Sequence, residues 1–133
     1  MFRRTVLLAA LFSFCVGTAS WAMMNTATIE DIMTKGHKKG GFRDQINIEL
    51  KKGTPDWTAV QTAASEFKTL AEDLGKNKPP KGSEASWKKA CDEYFGYVKE
   101  LDAATQQKNK SKSVTALGKI GKTCTGCHNA HRP

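Results

Sequence analysis

The chain has 133 residues, 39% hydrophobic and 26% charged, with 21 lysines and arginines against 13 acidic residues for a formal charge of +8. That length is enough for one domain after N-terminal trimming. The lysines are spread rather than blocked and few aromatics lie among them, so the basic balance is read as a solvated helical surface and not as a nucleic-acid interface.

The first 22 residues read as a secretory leader. Arg3 and Arg4 form the positive start, residues 6–16 are apolar and uncharged, and Ser20 and Ala22 put small side chains three and one residues before a cleavage point. Cleavage after Ala22 leaves residues 23–133 as the mature domain, with a periplasmic location and no stable membrane anchor. The competing reading is an uncleaved anchor, since residues 5–24 are just long enough to span a bilayer. Removing Arg3 and Arg4 takes the formal charge from +8 to +6.

From Thr26 the pattern is helical. Thr28 with Asp31 three residues on is a weaker form of the capping box, and Ile29, Ile32, Met33, Gly36 and His37 fall on one face. Gly40-Gly41 interrupts that face, and Phe42, Ile46 and Leu50 carry it on as a bent or restarted segment to Lys52, closed by Gly53. The second start has Thr54 as N-cap, Pro55 at the first helical position and Asp56 at the positive helix end. Val60, Ala63, Ala64, Phe67, Leu70, Ala71 and Leu74 make its apolar stripe, and Gly75 ends it. Residues 76–82, with Pro79-Pro80, form the longest connection.

Ser83 caps a third helix whose buried face is Trp87, Cys91, Tyr94, Phe95, Val98 and Leu101. After a lysine- and glutamine-rich turn near 106–112, the last helix runs from about Ser113. Val114, Leu117, Ile120, Cys124, Cys127 and His128 lie on one side of it. Four amphipathic segments with short links, and no strand pattern, predict an all-α antiparallel four-helix bundle.

Cys124-Thr125-Gly126-Cys127-His128 is the attachment sequence of a c-type haem. Two thiols at this spacing reach the two vinyl groups on one porphyrin edge, and the adjacent imidazole reaches the iron. Cys124 and Cys127 are therefore the predicted anchors of one covalent haem c, and His128 the predicted proximal ligand of its iron. A Cys-x-x-Cys pair alone also suits a zinc site, a redox pair or a disulfide. Zinc would need further ligands from His128, His131, Cys91 or His37, none at finger-like spacing, and a thioredoxin-like pair would need strands around it. With Cys15 in the leader and two thiols on haem, Cys91 is left as a small buried hydrophobe.

A single attachment motif near the C-terminus, on the last of four helices, resembles the cytochrome c′ family. The segments Gly118-Lys119-Ile120-Gly121-Lys122-Thr123-Cys124 and Cys127-His128-Asn129-Ala130-His131-Arg132 look like that family's final helix, and Pro79-Pro80 ahead of Trp87 looks like its link into the third. The resemblance covers nearly the whole mature chain. It implies a four-helix haem domain, one haem, a periplasmic location and a homodimer formed through the first two helices. Arg132 matches the family's basic residue near the proximal haem face, while His131 stands where the family usually has an aromatic residue.

Function turns on the iron's sixth position. In close relatives of the family a methionine in the first helix is a ligand, and Ile29-Glu30-Asp31-Ile32-Met33 resembles that arrangement. His37, one turn along on the same face, is the rival ligand. The third reading leaves the iron open. His131 is less than one turn from His128 on the same helix, so it cannot reach the far face. A filled site implies a one-electron carrier with a redox protein partner, acidic if the basic surface steers it. An open site implies a protein that binds nitric oxide or carbon monoxide. No clear distal acid–base pair for peroxide cleavage is evident, so the chain is not expected to be an enzyme.

Overall fold

The computed structural model of the chain describes residues 25–133, so the predicted leader and its cleavage point lie outside the described residues. Helices make up 75% of these residues, with no strand among them. The elements are α1 (Ile29–His37), α2 (Phe42–Lys51), α3 (Trp57–Leu74), α4 (Glu84–Gln106) and α5 (Lys110–His131). Among the described residues no helix is long and apolar enough to cross a membrane.

Pairwise contacts along the helices set the directions. The Ala27 amide donates to Asp73 Oδ2 at the far end of α3, and Gln61 Nε2 in the first half of α3 donates to the Thr105 carbonyl at the end of α4. Lys119 of α5 pairs with Glu100 of α4, while Ser86 near the start of α4 meets His131 at the end of α5. Neighbouring helices therefore run antiparallel, and α1 with α2 occupies the place of the first helix of a four-helix bundle. Ile32, Ile46, Leu50, Val60, Phe67, Leu74, Val98, Leu101 and Ile120 form the centre of the core.

The predicted segments appear with four adjustments. First, the segment after Gly40-Gly41 is restarted, not bent. Gly40 has a φ of +81°, and a Cβ on Gly41 would stand 2.6 Å from the Lys35 carbonyl oxygen and 2.9 Å from that of Lys38. Only glycines allow the chain to double back this tightly. The Asp44 carboxylate accepts from the Gly40 amide at 2.8 Å, in place of a side-chain cap at Gly41.

Second, α3 is capped by Asp56 and not Thr54. The Asp56 carboxylate accepts from the amides of Thr58 and Ala59 at 3.0 and 3.1 Å, where its charge also suits the positive helix end. Third, α5 starts at Lys110, three residues earlier than its polar composition suggests. Asn109 caps it by accepting from the Lys112 amide. The preceding turn spans only Gln107 to Asn109, because Lys108 takes a left-handed φ of 51° and the Asn109 and Lys108 amides close back on the Ala104 and Thr105 carbonyls. Fourth, Val114 is 51% exposed, so the buried stripe of α5 passes instead through Ser113, Ala116, Leu117 and Ile120.

One feature positions the site. The α1 helix packs on α2 and α3 but makes no direct backbone approach to α4 or α5. The first turns of the bundle thus leave a gap beside α5.

Candidate functional site

The gap holds a cavity of about 100 Å³ lined by Met33, His37, Arg43, Leu74, Ala90, Tyr94, Thr123, Cys124, Cys127 and His128. Three helical positions of the attachment motif, 124, 127 and 128, fall on one face of α5 because they are spaced by three and four residues. Cys124 and Cys127 are half-buried, and His128 stands exposed at the rim. Across the gap, α1 contributes Met33 and His37, also one turn apart. The structure therefore brings together both predicted anchors, the predicted proximal ligand and both rival ligands. Arg132 is elsewhere: it is exposed at the C-cap of α5 and outside the cavity lining.

His37 is the most constrained of these groups. Its Nε2 hydrogen-bonds with the Tyr94 hydroxyl at 2.8 Å, and its ring meets Phe67 edge-on with centroids 5.4 Å apart. Gly36 permits this approach, since a Cβ there would already lie 3.1 Å from the Phe67 ring. His37 Nδ1 is buried and has no hydrogen-bond partner. Burial, with the nearby positive charges of Arg43 and His128, pulls its pKa down to about 4, so the ring is neutral at pH 7. Tyr94 is itself buried, which pushes its phenol well above the usual range and keeps its proton in place.

Arg43, in the first turn of α2, takes no part in the ion pairs among the described residues. Its guanidinium lies against Gly121 of α5, where an added Cβ would stand 2.7 Å from Nη2. The same residue lines a second, more open hollow of about 380 Å³ between α2 and α5. A third hollow of about 550 Å³, between α4 and α5, reaches Cys127 from the other side and carries Lys89, Lys119 and Lys122. Burial raises the pKa of Cys127, and that of Cys91 to about 12. Cys91 is buried, as expected for a small apolar residue, and its thiol is inert at neutral pH.

His131 has a different part. Its Nδ1 donates to the Lys81 carbonyl at 2.8 Å, Nε2 lies 3.3 Å from Ser86 Oγ, and the ring packs edge-on against Trp87 at 5.2 Å. Gly82, at φ +81°, makes room for it, because a Cβ there would stand 2.8 Å from the Ala130 carbonyl oxygen and 2.9 Å from His131 Nδ1. The link after α3 is thereby pinned to the end of α5, just beyond the attachment motif.

Tyr94 and Arg43 were not among the predicted site residues. A tyrosine on a buried helix face carries a signal, since its hydroxyl must find a partner. Arg43 carries none beyond its place after the double glycine.

The residues suit a haem in kind: two thiols and an imidazole on one face, an apolar interior, a stand-off helix opposite and, in the lining, an arginine with no ion pair among the described residues. The cavity of about 100 Å³ is smaller than the 300–1,000 Å³ typical of ligand sites, so seating a macrocycle requires the side chains between α1 and α5 to part. Comparison with known proteins finds no matching family model, no matching curated protein and no matching solved structure.

Proposed function

We propose that the chain is a periplasmic c-type cytochrome of the cytochrome c′ kind, carrying one covalent haem c and passing single electrons to and from a redox protein. The observation that carries this reading is that Cys124, Cys127 and His128 line one apolar cavity together. When bound, the haem supplies a one-electron iron couple. Cys124 and Cys127 hold it by thioether bonds, and His128 donates an imidazole nitrogen from the α5 side. Leu74, Ala90 and Tyr94 exclude water, which tunes the site's polarity. Arg43 supplies a positive charge for a haem propionate, and its freedom from other ion pairs supports that role. Lys89 and Lys122 present positive charge beside Cys127, while Lys119 is paired to Glu100 and Glu93 lies in the same hollow, a modest basic excess that suits an acidic partner. Homodimerisation through the first two helices belongs to the same reading.

The alternative is a gas-binding protein with the far side of the iron open. The stand-off of α1 from α5 favours it. Expression with the machinery that attaches c-type haem, followed by pyridine haemochrome spectroscopy of the denatured protein, tests the shared premise. Covalent haem is expected in the native sequence and lost in Cys124→Ala/Cys127→Ala; a haem-free native protein overturns both readings. Absorption spectra with and without carbon monoxide then separate them, because only an open iron responds promptly.

A further inference from the structure

Resting on the haem reading above, we infer that His37 is the sixth ligand of the iron and that Tyr94 is the residue that positions it. Histidines that bind metals use one ring nitrogen for the metal and hand the other to a neighbouring group that fixes the ring. His37 has the second half of this arrangement already, in the 2.8 Å bond between Nε2 and the Tyr94 hydroxyl. Its other nitrogen, Nδ1, is the sole buried side-chain polar atom without a partner among the described residues. Leaving such an atom unpaired gives up its hydration with nothing in return, and native proteins keep few of them. The ring lines the same cavity as Cys124, Cys127 and His128, so a small turn of the imidazole is all that would offer its unpaired nitrogen to an iron seated there.

Met33 competes from one turn earlier on α1 and lines the same cavity. Its side chain packs against the core, and a thioether has no unmet hydrogen-bonding need, so nothing in its surroundings asks for a metal. The backbone supports His37 in the same sense. The break at Gly40-Gly41 ends α1 at His37, and Gly36 lets that last turn close on Phe67. Two imidazoles on the iron give a low-spin centre with a lower potential than a methionine–histidine pair.

The test uses the holoprotein, after haemochrome spectroscopy has established covalent haem, so that failure of the haem reading is seen first and separately. Native ferric protein is expected to be low-spin, to lack the near-infrared sulfur-to-iron charge-transfer band, and to keep its spectrum in Met33→Leu. His37→Ala is expected to turn high-spin, recover the low-spin ferric spectrum with added imidazole and, once reduced with dithionite, bind carbon monoxide promptly. Tyr94→Phe is expected to stay low-spin while carbon monoxide displaces the ligand ~10-fold or more faster, as for other losses of support to a metal-bound histidine. A sulfur-to-iron band that disappears in Met33→Leu overturns the assignment in favour of methionine. A high-spin native protein overturns it in favour of an open iron. If His37→Ala does not fold, the native spectrum and Met33→Leu decide the matter without it.

Discussion

His37 and His131 are both ordered by packing near the same end of α5, and they are satisfied to opposite degrees. Each ring meets an aromatic neighbour edge-on, Phe67 for one and Trp87 for the other. His131 has both nitrogens engaged, by the Lys81 carbonyl and Ser86, and glycine at 82 has cleared space for it. His37 has one nitrogen held by Tyr94 and one buried with no partner. A histidine whose hydrogen bonds all close serves the fold. A histidine with a buried nitrogen to spare, in a ring that lines one cavity with two thiols and another imidazole, keeps a hydrogen-bonding capacity that the fold leaves unused.

That contrast can be broken by experiment. The largest effect is expected from His131→Ala. Deleting a nearly buried ring that bridges Lys81, Ser86 and Trp87 should destabilise the protein by about 4 kcal/mol in urea unfolding, with the spin state of the folded fraction unchanged. A spin change there would mean that His131 also acts on the iron.

Next comes a pH effect in the haem-free Cys124→Ala/Cys127→Ala chain. The imidazole of His37 is held at about 4 against an ordinary 6.5, so the unfolded chain takes up its proton first. Its contribution is whole above about pH 6.5 and is lost as pH falls toward 4. The expected loss is about 3 kcal/mol, read from urea midpoints, and His37→Leu should flatten that part of the profile. An unchanged profile in His37→Leu would show that the buried nitrogen is not costly to protonate. The smallest of the three is Gly82→Ala. A left-handed backbone and a Cβ pressed against the Ala130 carbonyl should together cost about 2 kcal/mol, again without altering the iron spectrum.

Much of the bundle was legible in the sequence because helical periodicity reports burial directly. The stripes from Val60 to Leu74 and from Trp87 to Leu101 coincide with buried residues, with Leu70 and Phe95 half-buried at their edges. The helical spacing within each set, 124, 127 and 128 on α5 and 33 and 37 on α1, was also readable, while their meeting at one cavity follows from the fold. The helix ends were less so. Thr54 and Asp56 are both good caps, and the choice between them rests on which side chain meets the amides of Thr58 and Ala59. The start of α5 was hidden by lysines that look like loop but tolerate helix, with the turn compressed by an uncommon left-handed Lys108. Val114 continues the spacing of Leu117 and Ile120 yet lies beside the hollow between α2 and α5, where no neighbour covers it. The pairing of His37 with Tyr94 joins residues 57 apart in sequence, and the latch of His131 joins residues 50 apart; local pattern carries no information about either.

The double glycine also decouples two rotational settings. In an unbroken helix each residue turns its neighbours by about 100°, so the face aimed at the α5 thiols and the face aimed at the core would be locked in phase. Resetting the phase at Gly40-Gly41 lets α1 turn Met33 and His37 to the cavity while α2 independently turns Ile46 and Leu50 inward and swings Arg43 across Gly121. Insertions or deletions on either side of this joint would therefore rotate one set of groups and leave the other in register, which makes the link between α1 and α2, residues 38–41, a natural place to retune the site without rebuilding the bundle.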